Sequence, residues 1–255
     1  MAEKEARLDK YVAESAGLTR KEAKLALSKG RVQVYSEVCK NADRKVSVSD
    51  IVTLDGKGLN AEEFLYLMLN KPAGVVSATE DAHDKTVLDL VREQSAESAD
   101  EVKETGFFLG RRELFPVGRL DKDTEGLLLL TDDGELAHRL LSPKKHVDKV
   151  YFARLSGEVP EGAVERFAAG IQVGQDYQAM PAKLEILSVQ NGVSEVSITL
   201  REGKFHQVKR MCHEIGCEVT YLKRVSMGSL RLDEALKPGE CRKLTVEEVN
   251  ALGRG

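Results

Sequence analysis

The sequence contains no long apolar segment. None of its hydrophobic runs approaches the roughly 20 residues that a membrane-spanning helix requires. The first eleven residues, MAEKEARLDKY, include no apolar core of the kind found in secretion signals, so we expect no signal peptide. The four cysteines form no closely spaced disulfide framework, which favours a reducing, cytoplasmic environment. These absences exclude membrane-spanning and disulfide-rich secreted proteins.

Aromatic residues are scarce, at 5%, but 42% of the 255 residues are hydrophobic, which is unlike disordered or collagen-like chains. A net charge of −4 argues at first against a nucleic-acid partner, because phosphate binding relies on Lys and Arg. The charge is unevenly divided, however. Residues 1–59 hold 12 Lys/Arg and 9 Asp/Glu, whereas the remainder holds 26 and 33. We therefore predict a small basic domain at 1–59 and a larger acidic domain at 60–255.

The basic domain is predicted to contain two helices followed by a few short strands. Thr19 and Glu22 form a capping-box pattern at the start of the second helix, and Gly30 is its predicted end. Both helices carry cations that could lie along an RNA backbone; a solvated surface is the alternative. These cations are Arg7, Lys10, Arg20, Lys21 and Lys24.

The larger domain is predicted to be α+β, with many antiparallel strands and interspersed helices. Its predicted strands are 64–69, 127–130 and 150–155, with a hairpin at Asn191-Gly192, and its predicted helices are 135–141, 205–215 and a last one capped by Thr245 and Glu248. Residues 93–112 lack hydrophobic periodicity and are predicted to form a surface insertion.

Two candidate sites can be set aside on spacing. Cys212, His213, Cys217 and His206 resemble a zinc site weakly, because on a helix the two cysteines would lie about 140° apart. Asp132 and Asp133 precede a helix, so capping explains them better than catalysis does. Asp121 and Asp123 leave a glycosidase open, since such enzymes use two carboxylates about 5–9.5 Å apart.

The remaining candidate combines one carboxylate with a cationic helix. Asp121 lies in the charged loop 118–126, directly before an apolar strand. Helical spacing places His206, Lys209, Arg210 and His213 on one face, and a cation there could keep Asp121 ionised, as a nucleophile requires. A solvated turn and a solvated helix face remain the alternative.

The residues around this loop resemble a known family. Gly118-Arg119-Leu120-Asp121 followed by DTEGLLLLTDDGELAHRL is similar to the signature of RsuA-type ribosomal RNA pseudouridine synthases. The resemblance extends to LNKPAG at 69–74, KVY at 149–151 and EGKFHQVKRM at 202–211. The basic domain resembles an S4 RNA-binding domain through RLDK at 7–10, Thr19-Arg20 and GRVQV at 30–34.

The resemblance implies a role for each matching residue. Asp121 would be the catalytic aspartate, which either attacks C1′ of the target uridine or abstracts a proton to give a glycal. Tyr151 would stack on the base, and Lys209 would pair with the aspartate. Further substrate contacts are implied for Arg119, Leu120, Leu222, Arg224, His206 and Gln207. In the S4-like domain, Arg7, Lys10, Thr19, Arg20, Lys21, Lys24 and Arg31 would bind RNA.

The same resemblance defines the expected substrate and partners. The HQVK sequence at 206–209 favours the branch acting on 16S small-subunit rRNA, with uridine 516 as the family's type site; 23S rRNA is the alternative, as is a non-catalytic assembly factor. The partner would be ribosomal RNA or a subunit assembly intermediate. The reaction is an internal rearrangement without a redox step, so we expect no cofactor and no metal, and we expect a cytoplasmic monomer.

Overall fold

The computed structural model describes residues 5–47, 50–59, 64–95, 107, 109, 112–142, 145–175 and 177–253. These residues form two compact units, one within 1–65 and 92–113 and the other within 66–91 and 114–255. Most of the predicted insertion at 93–112 lies outside the described residues. Of its described part, residues 93 and 94 end a helix, and Phe107 is buried.

The first unit packs two helices and short antiparallel strands around one apolar core. Its elements are β1 (Ala6–Arg7), α1 (Leu8–Ser15), α2 (Arg20–Ser28), β2 (Val32–Val34), β3 (Glu37–Val38), β4 (Lys45–Val46), β5 (Val52–Leu54) and β6 (Lys57–Leu59). The strands form a sheet in the order β3-β2-β5-β6 and a separate β1-β4 pair.

The capping box at the start of α2 is confirmed. Thr19 Oγ1 accepts a hydrogen bond from Glu22 N at 3.0 Å, and a Glu22 carboxylate oxygen accepts one from Thr19 N at 2.7 Å. The two side chains thereby satisfy backbone donors that have no partner inside the helix. This cap fixes where α2 begins and so where its cations lie.

The second unit is built on a nine-stranded, mainly antiparallel sheet. Its elements are β7 (Tyr66–Lys71), α3 (Val87–Gln94, which continues beyond this unit), β8 (Phe115–Pro116), β9 (Glu125–Thr131), α4 (Gly134–Leu141), β10 (Lys149–Ser156), α5 (Ala163–Ala169), β11 (Gln172–Val173), β12 (Tyr177–Gln178), β13 (Lys183–Gln190), β14 (Val193–Leu200), α6 (Gln207–His213), β15 (Glu218–Met227), β16 (Leu230–Arg231), β17 (Cys241–Lys243) and α7 (Val246–Gly253). The main strand order is β13-β14-β10-β15-β9-β7-β17, which confirms the predicted α+β class.

One pair in this sheet is parallel, and it determines where the predicted loop lies. β9 runs parallel to β15, with Glu125 opposite Lys223 and Gly126 opposite Arg224. A Cβ atom at Gly126, where φ is +100°, would overlap the carbonyl oxygen of Arg224. Glycine therefore permits the close approach of the two strands. This pairing brings the loop that precedes β9 beside residues 222–224.

Local signals also predict the strand hairpin and the starts of α4 and α7 correctly. β13 and β14 form an antiparallel hairpin around Asn191-Gly192, both with positive φ. Asp133 Oδ1 accepts a hydrogen bond from Leu136 N at 2.9 Å and caps α4. Thr245 Oγ1 accepts from Glu248 N at 3.2 Å, so the last capping box is confirmed.

The predicted helix 205–215 is wrong at both ends, since α6 extends only from Gln207 to His213. His206 has φ +48°, in the left-handed region, so the chain cannot be helical at this residue. Phe205 and His206 therefore belong to the preceding loop, and the predicted continuous face of four basic residues is interrupted.

Candidate active site

The loop that carries Asp121 is held by hydrogen bonds to the segment after β7. Ser77 Oγ accepts from Leu120 N at 3.1 Å and donates to Leu120 O at 2.9 Å. Gly74 N donates to Lys122 O at 2.7 Å, and Thr124 N donates to Asp121 O at 3.0 Å, closing a turn. The loop is thus fixed on both sides of Asp121, which positions the carboxylate.

Lys71 adds a third attachment from the end of β7. Its side chain is fully buried, and Nζ donates to the carbonyls of Pro72, Lys122 and Thr124 at 3.0, 3.2 and 2.8 Å. Burial lowers the pKa of Lys71 to about 8, although Asp123 and Asp121 nearby act in the opposite direction. Lys71 therefore joins β7 to the loop that carries Asp121.

Asp121 is partly accessible and faces two basic side chains. Its side chain is 27% exposed; Lys209 Nζ lies 3.5 Å from Oδ2, and His206 Nε2 lies 3.6 Å from Oδ1. A carboxylate held between an ammonium and an imidazole, and still open to solvent on one side, is placed to reach a bound substrate.

Lys209 is shared between two carboxylates. The predicted ion pair with Asp121 is present, but the shorter contacts go to Asp123, at 2.6 and 2.8 Å from Oδ1 and Oδ2. The hydrogen bond from Lys209 holds the pKa of Asp123 below its ordinary value. Asp123 therefore determines where the ammonium lies beside Asp121.

Tyr151, Leu222 and Arg224 lie on one buried face of the sheet. Tyr151 is opposite Arg224 across the β10–β15 pair, and Leu222 is opposite Ala153. Because side chains alternate along a strand, residues 222 and 224 share a face, and the parallel β9 brings the end of the Asp121 loop to the same level. The structure thus brings the three predicted substrate residues together near the reactive loop.

Arg224 is almost completely buried in this region. Its Nε donates to Leu127 O at 2.8 Å, and its Nη2 has no hydrogen-bond partner among the described residues. A buried guanidinium with an open donor carries a desolvation cost that a substrate oxygen would relieve.

The remaining predicted substrate residues have different environments. Arg119 is exposed, whereas Leu120 is buried under the loop. Gln207 is also buried: its Oε1 accepts from Lys204 N at 2.9 Å, and its Nε2 donates to Glu202 at 2.5 Å. Both ends of the Gln207 amide are therefore used within the protein, and its contact with substrate stays a prediction.

The predicted RNA-binding cations of the first unit gather around a carboxylate. Asp9 is fully buried, and it contacts Arg7 at 3.1 Å, Arg20 at 3.2 Å and Lys24 at 3.7 Å. Although burial alone would raise the pKa of Asp9, hydrogen bonds from Arg7 and Arg20 hold it below its ordinary value. Asp9 organises these three cations, a role that sequence reasoning missed.

The other predicted RNA contacts are distributed over the same unit. Lys10 pairs with Glu14 at 3.6 Å, Arg31 Nε donates to Asp55 at 2.9 Å, and Lys21 is exposed on α2. Thr19 serves as the helix cap. The structure therefore brings Arg7, Arg20 and Lys24 together, whereas Arg31 is paired elsewhere.

Among the described residues, no three His, Cys, Asp or Glu side chains are arranged to hold a metal ion. Cys212 and Cys217 are buried, and burial raises the pKa of Cys212 to about 12, which disfavours the thiolate that zinc needs. No helix in the described ranges is long and apolar enough to cross a membrane.

Sequence reasoning also missed Lys71, Asp123 and the unpaired donor of Arg224. The Asn70-Lys71-Pro72 motif marked the first of these positions, but a lysine in an apolar strand gives no sign of what its ammonium contacts. The sequence predicts Asp123 only as half of a possible glycosidase pair and gives no sign of its contact with Lys209.

Comparison with known proteins identifies the class to which this site belongs. Residues 65–214 match the family described as RNA pseudouridylate synthase. A protein called "Ribosomal small subunit pseudouridine synthase A" from Vibrio parahaemolyticus is 40% identical over 247 residues, covering 96% of this chain and 99% of that protein. An "Uncharacterized RNA pseudouridine synthase" from Bacillus subtilis is 44% identical, covering 96% of this chain and 98% of that protein.

A solved structure agrees with these relatives. It is described as "Crystal structure of pseudouridylate synthase" and has 38% identity and a TM-score of 0.63, covering 96% of this chain and 99% of that one. The chain belongs to the RNA pseudouridylate synthase family, and the expectation from the resemblance is confirmed. Within that family it is an RsuA-type enzyme, an isomerase.

Proposed function

We propose that this enzyme converts a uridine of 16S small-subunit rRNA to pseudouridine, with Asp121 as the catalytic carboxylate. The observation that carries the proposal is the position of Asp121, partly exposed and within 3.6 Å of both Lys209 Nζ and His206 Nε2. Relatives whose names specify the small ribosomal subunit match 96–97% of the chain, which supports the choice of RNA.

The reaction is balanced without an external reagent. The N1–C1′ bond of uridine breaks, the uracil turns, and a C5–C1′ bond forms; the proton lost from C5 is matched by one gained at N1. Asp121 acts as an anion in either route, by attack at C1′ or by abstraction of a sugar proton. Lys209 and His206 lie beside that carboxylate, at 3.5 and 3.6 Å.

The neighbouring residues would hold the displaced nucleotide. The target base must leave its stack to expose C1′ and C5, so Tyr151 supplies a stacking ring and Leu222 an apolar surface. Arg224 offers an unpaired donor to a substrate oxygen, and exposed Arg119 contacts phosphate. His206 is the last of the residues that would contact the nucleotide. Leu120 and Gln207 are buried and would instead stabilise the loops in which they lie.

Residues 1–59 would form an S4-like RNA-binding domain that uses the Arg7, Arg20 and Lys24 cluster, together with Lys10, Lys21 and, elsewhere in the domain, Arg31. RNA affinity should fall steeply as salt rises from ~50 to ~200 mM, because phosphate contacts release counterions. We infer a cytoplasmic monomer that acts on ribosomal RNA or on a subunit assembly intermediate.

The test is a map of pseudouridine across both ribosomal RNAs in cells that lack the gene. Carbodiimide-dependent reverse-transcription stops should lose one site in 16S rRNA, and the wild-type gene should restore it. A lost site in 23S rRNA would move the proposal to the other subunit. Unchanged maps would reject the enzymatic function and favour a non-catalytic RNA-binding factor.

The variants separate this reaction from glycosidic cleavage. Asp121→Asn keeps the size of the side chain but removes its charge, and it should fail to restore the site. Asp123→Asn is the matched control. It should be at least about a hundredfold more active than Asp121→Asn, because a single carboxylate suffices for the isomerisation. If both variants were equally inactive and uracil were released from RNA, a two-carboxylate hydrolase would be the better account.

A further inference from the structure

Phe205 is the most exposed aromatic residue that the structure describes. Its relative exposure is 70%, in a chain with only 5% aromatic residues. Its ring stacks on that of His206, with centroids 3.8 Å apart and planes inclined by 20°. An exposed ring of this kind offers a face on which a nucleic-acid base can stack, since every base has a π-face.

This stacked pair begins at the reactive carboxylate. His206 Nε2 lies 3.6 Å from Asp121 Oδ1, and the solvent-exposed Phe205 ring stacks on the face of the same imidazole. A nucleotide whose sugar reaches Asp121 has neighbours in the RNA chain that must pass close to this surface. The exposed ring is therefore within reach of a base adjacent to the target.

The loop that presents the two rings is held in its conformation before any ligand binds. Gln207 joins Lys204 N to Glu202, and the Glu202 carboxylate also accepts from Met180 N at 2.8 Å. His206 adopts a left-handed conformation, φ +48°, that is unfavourable for a residue with a side chain. Such preorganisation reduces the entropy lost on binding.

The charges around Phe205 favour a nucleic acid over an apolar protein segment. Lys204, the preceding residue, is exposed, with Nζ 3.8 Å from the centre of the Tyr177 ring. Lys209 and Arg210 follow on α6. Aromatic faces with cations beside them are how proteins bind single-stranded RNA, because the rings stack on bases and the cations contact phosphates.

We propose that Phe205, backed by His206, is the stacking platform for a base next to the target uridine. This inference rests on the proposed function and adds to it a binding residue. Gln207 and Glu202 act as positioning residues, since they hold the loop without reaching the substrate. The platform orders the RNA chain after the target nucleotide has left its stack.

The absence of tryptophan from the sequence allows a direct test. Phe205→Trp introduces a single tryptophan at the platform, and its fluorescence should be quenched when a small-subunit rRNA transcript binds. Val246→Trp is the matched control, because Val246 is equally exposed. It begins α7, shortly after the end of β17 that pairs with Leu67, near the start of β7. Lys71 lies at the opposite end of β7. The fluorescence of Val246→Trp should not change.

Kinetics supply the second arm. Phe205→Ala should raise KM for the transcript by roughly 5- to 150-fold, the usual range for loss of one base–aromatic stack, while kcat stays within about threefold. Phe205→Tyr should restore KM, whereas Phe205→Leu, apolar but without a ring face, should not.

Equal KM values for the wild type, Phe205→Ala and Phe205→Leu, with no quenching of Phe205→Trp, would overturn the platform and leave the enzymatic function intact. Conversely, if the wild type makes no pseudouridine either in the transcript or in a small-subunit assembly intermediate, the proposed function fails. The fluorescence arm then still decides whether RNA stacks on this surface.

Discussion

Replacing Lys71 by methionine would test how the reactive loop is held. The ammonium of Lys71 donates to three backbone carbonyls, of which those of Lys122 and Thr124 lie on either side of Asp123. Methionine has a similar length but no donor. The Lys122 carbonyl would keep its hydrogen bond from Gly74 N at 2.7 Å, whereas the Thr124 carbonyl would lose the 2.8 Å contact.

Two energetic terms oppose each other in the Lys71→Met variant. The hydrogen bonds from a charged donor are lost, at about 1.5–3 kcal/mol each, but the cost of burying the charge disappears as well. We therefore expect the free energy of unfolding at pH 7 to change by less than about 2 kcal/mol. Activity should fall by about a hundredfold, because a shift of about 1 Å in a catalytic group is enough for such a loss.

The pH dependence distinguishes the two terms. The pKa of Lys71 is about 8 in the folded protein and 10.5 in the unfolded chain, so between these values only the unfolded state binds the proton. Stability due to this group must therefore rise with pH in that window. The shift corresponds to roughly 3 kcal/mol. Below pH 8 both states are charged, and the difference between wild type and variant should be flat.

Urea unfolding of both proteins from pH 7 to pH 10.5 measures this difference. Lys122→Met is the control, because Lys122 is an exposed lysine of the same loop, and its difference from wild type should not rise. If the difference in unfolding free energy between wild type and Lys71→Met stayed constant above pH 8, the buried ammonium would carry no desolvation cost. Full activity of the variant at pH 7.5 would refute the role of Lys71 in positioning Asp121.

Three further substitutions test other contacts. Gly126→Ala should destabilise the protein by about 3 kcal/mol or more in thermal unfolding, because its Cβ would overlap Arg224 O; Gly203→Ala, with open space around it, should not. Asp133→Ala should cost about 1–2 kcal/mol in urea unfolding through loss of the α4 cap, and an unchanged midpoint would refute that role. Asp9→Asn should weaken rRNA binding about tenfold in filter assays at fixed salt, since Arg7 and Arg20 lose their shared carboxylate; unchanged affinity would exclude this cluster from RNA binding.

Short-range signals in the sequence were sufficient for much of the fold. The capping boxes at Thr19–Glu22 and Thr245–Glu248 act within one helical turn, and the Asn191-Gly192 turn joins adjacent strands. Each of these features therefore depends on only a few neighbouring residues. Family membership could be inferred in the same way, since the signature around Asp121 is continuous. Helix α6 was the exception: the left-handed His206 has no marker in its residue type.

The candidate site itself depends on contacts between distant parts of the chain. Gly126 and Arg224 are adjacent only because β9 pairs in parallel with β15, and Lys209 meets Asp123 only because α6 is placed beside that loop. Neither the buried ammonium of Lys71 nor the preference of Lys209 for Asp123 has a local signal. Short-range patterns predicted which residues belong to the candidate site, whereas the tertiary structure shows which charges share a partner, because that arrangement depends on distances between segments far apart in the chain.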